Sequence, residues 1–141
     1  MDIEMISAYK INLSSEDLNV FLKSWQEGKT NQRMREFECV SLEEIDVKEV
    51  LKGCGGELMD PRTTKQTFRM SGYLDSWIYG GINIRRNDGR LAIIDTYGSS
   101  TTLDDDATER YAEDYLETLE IWISNNSTDK WYKKKIQIYI I

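Results

Sequence analysis

The stretch Asn87-Asp88-Gly89-Arg90 constrains this chain more than any other. It joins two apolar runs within Trp77–Tyr97 and carries Asp-Gly at its centre. A two-residue hairpin turn needs a positive φ at both central residues, which glycine tolerates and aspartate accepts. With Asp88-Gly89 as that turn, Ile84 pairs with Ile93, Arg86 with Leu91, and Ile82 faces Asp95. Asp95 then closes the far end of an otherwise apolar face. A hairpin alone is marginal in water, so the rest of the chain has to cover it.

The remaining segments supply that cover. Met5 to Leu13 carries Ile6, Tyr9 and Ile11 and reads as a strand. Ser14 followed by Asp17 has the spacing of a capping box. Leu18, Phe21, Leu22 and Trp25 follow at i, i+3, i+4 and i+7, one face of a helix over about 15–27 that stops near Gly28. Arg35 to Leu42 reads as a strand with Phe37 and Cys39 on one face. Asp46 and Glu49 then cap a short helix ending at Gly53; a single helix over 42–52 is the alternative, with its apolar residues scattered round the wheel. Residues 53–64 hold three glycines and the single proline and read as a loop, and 67–74 as a further strand.

After a polar connection over 98–103, Asp104, Asp105 and Asp106 cap a helix over 104–123. Its apolar arc holds Tyr111, Ala112, Tyr115, Leu116, Leu119, Trp122 and Ile123, with Glu109, Glu113, Glu117, Glu120 and Asp106 opposite. Trp131 to Ile141 is apolar on both faces at its end, so it belongs inside a sheet. The pattern predicts an α+β fold in one domain, 1–141: a mostly antiparallel or mixed sheet around the 77–97 hairpin, with two main helices packed on it. At 141 residues the chain can bury about two thirds of its unfolded surface.

Several function classes fall away. No histidine is present, which removes Ser-His-Asp and Cys-His systems and the usual histidine metal sites. Cys39 and Cys54 lie too far apart for a Cys-x-x-Cys motif and read as small buried residues. Gly53-Cys54-Gly55-Gly56 fits neither a phosphate loop nor a dinucleotide fingerprint. Three consecutive aspartates point in different directions, so Asp104–Asp106 suits capping better than a metal. No metal and no cofactor are expected. The longest apolar runs, 91–94 and 138–141, are far short of the about 20 residues of a membrane helix. Met1-Asp2-Ile3-Glu4 lacks the basic-then-apolar pattern of a signal peptide, so a cytoplasmic location is expected.

Net charge is −7, and its placement matters more than its size. Residues 101–120 hold eight of the 25 acids and one of the 18 bases, leaving 17 of each elsewhere. Glu109, Glu113, Glu117 and Glu120, with Asp106, therefore form a focused negative surface able to steer a basic partner. The leading expectation is a small acidic, non-enzymatic protein-binding inhibitor that occupies the basic surface of a toxin, a nuclease or a nucleic-acid-binding effector. Immunity proteins and phage or plasmid anti-defence inhibitors are of this physical type, an analogy of size and charge. No direct nucleic-acid contact is expected of so acidic a chain.

A second expectation is the binding of a nucleotide-like anion between Arg85, Arg86 and Arg90 and the segment Trp131, Tyr132, Lys133, Lys134, Lys135, with Lys130 beside it, in a protein that works as an oligomer. A third is a carboxylate enzyme built on Asp95, whose proton affinity burial would raise.

Overall fold

Ser14 and Asp17 close the capping box. The Asp17 N–H donates to Ser14 Oγ at 3.0 Å, and the Ser14 N–H donates to the Asp17 carboxylate at 3.1 Å. The computed structural model describes residues 5–11, 13–69, 75–95, 97, 107–126 and 128–141. Helix α1, Ser15–Gln26, follows the cap and buries Leu18, Leu22 and Trp25, while Phe21 lies tilted on Phe37 with ring centres 4.7 Å apart. Strands β1 (Met5–Ile11) and β2 (Glu36–Asp46) flank it and pair in parallel. A parallel pair cannot be joined by a tight turn, so α1 is the crossover.

β2 outruns the strand read from sequence. Leu42, Glu43 and Glu44 are exposed in succession and the strand's antiparallel pairing skips from Val40 to Ile45, which returns to the core. No helix covers 42–46; the strand leads directly into helix α2, Val47–Val50. Asp46, only 5% exposed, caps α2 by accepting from the Lys48 N–H (3.2 Å) and also accepts from the buried Trp131 N–H at 3.3 Å. Asp46→Ala strands both donors and is expected to cost about 2 kcal/mol in urea unfolding, with Asp46→Asn costing less. An unchanged midpoint for the alanine variant would show that the cap contributes nothing.

The segment 53–64 is not all loop, because β3 (Glu57–Met59) lies within it as an edge strand. β4 (Lys65–Arg69) pairs with β5 (Asp75–Tyr79) in a separate two-stranded sheet, and residues 70–74 lie outside the described ones. The expected 77–97 hairpin is therefore divided. Gly80 and Gly81 take φ of +63° and +84° between β5 and β6 (Gly81–Arg85), and the chain passes from one sheet to the other there.

β6 and β7 (Leu91–Asp95) do form a hairpin, in a register one residue from the expected one. Ile82 faces Ile94, Ile84 faces Ala92 and Arg85 faces Leu91. The Arg86 N–H donates to the Arg90 carbonyl (2.8 Å) and the Gly89 N–H to the Arg86 carbonyl (2.9 Å), so the loop has three residues, Asn87-Asp88-Gly89. Only Gly89 of these has a positive φ, +92°. Asp88 is held instead by side-chain bonds to Arg86 and by the Arg90 N–H, which favours the longer loop over a two-residue turn.

Among the described residues the main sheet runs β1-β2-β8-β7-β6-β3, antiparallel except for β1 with β2. β8 (Tyr132–Ile140) lies inside it, as its two apolar faces require. One face carries Phe37, Cys39, Ile82, Ile84, Ala92, Ile94, Ile136, Ile138 and Ile140 against α1 and α2. On the other, Ile93, Leu91 and Tyr139 meet Phe68 and Ile78 of the small sheet. Both cysteines are free and buried, and burial pushes their thiols up. The fold is α+β, with a mixed, mostly antiparallel sheet and two substantial helices packed on it. No helix among the described residues is long and apolar enough to cross a membrane.

Candidate functional site

Helix α3, Ala107–Ile123, is tied to the fold by its large aromatics. Tyr111 stacks on Tyr97 at 4.5 Å and lies 6.0 Å from Tyr79. About three turns downstream, Trp122 meets Trp131 edge-on at 6.4 Å. These contacts set the rotation of the helix. Tyr115 and Thr118 are buried, and Ile121 and Trp122 pack against the main core. The buried arc is therefore narrower than the sequence wheel suggests and is turned toward Ile121. Leu116 and Ile123, expected in the core, are 49% and 66% exposed.

Glu109, Glu113, Asp114, Glu117 and Glu120 all face solvent. Among the described residues none of them has an ion pair or a side-chain hydrogen bond. Asp104, Asp105 and Asp106 lie outside the described residues, and their capping role with them. From Glu109 to Glu120 the acids cover about 16 Å of helix axis. Glu109, Glu113 and Glu117 succeed one another at i, i+4, where like charges repel by a few tenths of a kcal/mol per pair. Two aliphatic side chains, Leu116 and Ile123, stand exposed beside the acids.

The basic residues are arranged differently. Arg86 is buried to 9% exposure; its Nε and Nη2 donate to the Asp88 carboxylate at 2.9 and 2.6 Å, its Nη1 donates to the Gln32 carbonyl at 2.9 Å, and its guanidinium lies over the Trp25 ring. It holds the loop to α1 and is not open to a ligand. Arg85 and Arg90 remain exposed at the loop and border a shallow hollow with Leu91 and Ile141.

At the opposite end of β8, Trp131 is buried, Lys135 pairs with Glu38 at 3.2 Å, and Lys130 lies 3.5 Å from Asp46. Tyr132 and Lys134 are exposed there, and Lys133 also has a partner. Ile141 bonds to Leu91 beside the loop, so eight residues of extended chain, about 26 Å, separate Lys133 from that end. The fold does not bring the two basic groups together around one anion.

Asp95 is 9% exposed, with Oδ1 accepting from the Tyr97 N–H at 3.1 Å. In the observed register Ile82 faces Ile94 instead, and Asp95 stands opposite Gln137 of β8. It therefore shares the second sheet face with Ile93 and with polar neighbours, and not the helix-covered core. Gln137 Nε2 in turn donates to the buried Glu36 at 3.1 Å. Among the described residues no group of three potential metal ligands converges.

A family model described as F-box associated matches residues 1–39, which span β1, α1 and the first residues of β2. No curated protein and no solved structure matches the chain.

Proposed function

We propose that this is a small acidic protein-binding protein that uses the outer face of α3 to cover a basic surface on another protein, with no chemistry of its own. The observation that carries this reading is the set of five exposed acids on one helix, none of them paired among the described residues, beside two exposed aliphatic side chains. Exposed aliphatic side chains occur singly elsewhere, as at Val20 and Leu42; on α3 two of them lie in line with the acids, as in interfaces that combine an apolar centre with a charged rim. Occlusion of a toxin, a nuclease or a nucleic-acid-binding effector is the form of action that this charge suits best.

The test places a photo-crosslinking residue at Glu117 and, as a control, at the exposed Glu44 of β2. Capture of a basic protein at position 117 alone, lost on adding Glu109→Gln, Glu113→Gln and Glu120→Gln, is the expected result. Equal capture at both positions, or capture that survives the three substitutions, would remove α3 as the binding face. The substitutions leave the core intact and relieve like-charge repulsion, so thermal stability should hold or rise by a few tenths of a kcal/mol.

A further inference from the structure

Glu109, Glu113, Leu116, Glu120 and Ile123 are all exposed, and they follow one another at steps of four, three, four and three. On a helix that spacing draws a single line along the surface, the seam by which one helix packs alongside another. Leu116 and Ile123 occupy equivalent places two turns apart, and Glu113 and Glu120 alternate with them. The remaining exposed charges, Glu117 and Asp114, lie beside the seam with Arg110.

We infer that the partner segment seated on α3 is an amphipathic helix, with lysine or arginine opposite Glu113 and Glu120 and aliphatic side chains opposite Leu116 and Ile123. This rests on the protein-binding role proposed above and adds the shape of the partner to it. The distances favour a helix over an extended strand. Leu116 and Ile123 are about 10.5 Å apart along the axis, the rise of seven helical residues. Side chains on one face of a strand recur at about 6.8 Å, so a strand that meets one anchor presents its backbone near the other. Charge complementarity decides the occupant further. A second copy of α3 in parallel register would set glutamate against glutamate. Antiparallel about Leu116 it would set Glu109 against Ile123 and Glu113 against Leu119, covering charges with apolar side chains and no counter-charge; both oppose self-pairing.

The experiment uses the full chain and three synthetic peptides of about 20 residues, long enough to form helix. One carries lysine and leucine at the complementary seam positions, the second is a scrambled isomer of the same composition, and the third replaces its lysines with glutamate. Binding is followed by titration with backbone NMR. The seam peptide should shift resonances of 109–123 and bind at least about tenfold more tightly than its scramble, the equivalent of one well-buried aliphatic side chain. Leu116→Ser with Ile123→Ser should lose about that factor or more without altering the circular dichroism, both side chains being exposed.

Equal binding of seam and scrambled peptides, no binding of the seam peptide, or full affinity in the double serine variant would each overturn the inference. The first and third of these leave the charge-based reading standing, because attraction without a fitted seam is what a merely acidic surface gives. Binding of the glutamate peptide as tightly as the lysine one would overturn both.

Discussion

Gly81→Val is expected to cost about 3 kcal/mol or more in urea unfolding, and Gly89→Ala only about 1 kcal/mol. Both glycines have positive φ, +84° and +92°, so each substitution incurs backbone strain. Their surroundings differ. A Cβ at Gly81 would stand 2.8 Å from the Ile94 carbonyl oxygen and 3.0 Å from a methyl of Ile93, while at Gly89 nothing lies within 4 Å. The neighbour at Gly81 is sheet backbone, which cannot move without breaking the β6–β7 ladder. Gly80 is equally confined, 2.7 Å from the Met59 carbonyl oxygen. This pair lets one strand direction serve two sheets. Similar losses at positions 81 and 89 would mean that strain alone, and not the close approach, makes glycine necessary.

Arg86→Met is expected to cost about 3 kcal/mol, through loss of charge-assisted bonds that replace water around a buried guanidinium. The figure stays below that of a fully buried ion pair because Asp88 is half exposed. The same pair makes stability depend on pH. Arg86, helped by the Arg90 N–H, holds the Asp88 carboxyl down at about 2 from an ordinary 3.8. A carboxyl lowered in the folded state contributes stability that is complete above its unfolded value and fades as pH falls through its folded one. The contribution of Asp88 is thus whole above about pH 4 and gone below about pH 2. Asp88→Asn should therefore lower the urea midpoint at neutral pH, and the gap to wild type should close in acid over that interval. A constant gap would show that the loop, and not the ion pair, responds to the substitution.

Local signals were legible where one short-range rule decides the outcome. Ser14 with Asp17 starts a helix because both donors at its N-terminus find acceptors within three residues. Asp46 ends a strand and opens α2 by accepting from the Lys48 N–H two residues on, and the last strand declares its interior place by having no polar face. The hairpin register was not legible. Asp88-Gly89 is compatible with a two- or a three-residue loop, and the choice turns on Arg86 reaching Gln32 and Trp25, fifty and more residues upstream. That one-residue difference carries Asp95 to the opposite sheet face. β3 has only three residues and shows no alternation.

For the candidate site, the four glutamates of α3 could be placed outward from the wheel alone. Leu116 and Ile123 could not, since a wheel gives apolar residues without saying which of them the sheet reaches. Stacking by Tyr111 and the edge-on contact of Trp122 set the rotation of the helix and leave those two outside. Their nearness to Glu109 and Glu120 on the wheel was the available sign. The basic segments misled because residues near in type, Arg85 with Lys133, are separated by the length of β8.

The association rate of the basic partner captured through α3 bears most directly on the role of the acidic face. It is measured for wild type and for the variant with Glu109, Glu113, Glu117 and Glu120 replaced by glutamine, at about 0.01 M and about 0.15 M salt, where charges are screened over about 30 Å and about 8 Å. Wild type should associate much faster at the lower salt and slow steeply at the higher, while the variant should be slow at both and nearly insensitive to salt. Equal rates for the two proteins at both salt concentrations would contradict a steering role and reduce the stripe to a solvated surface.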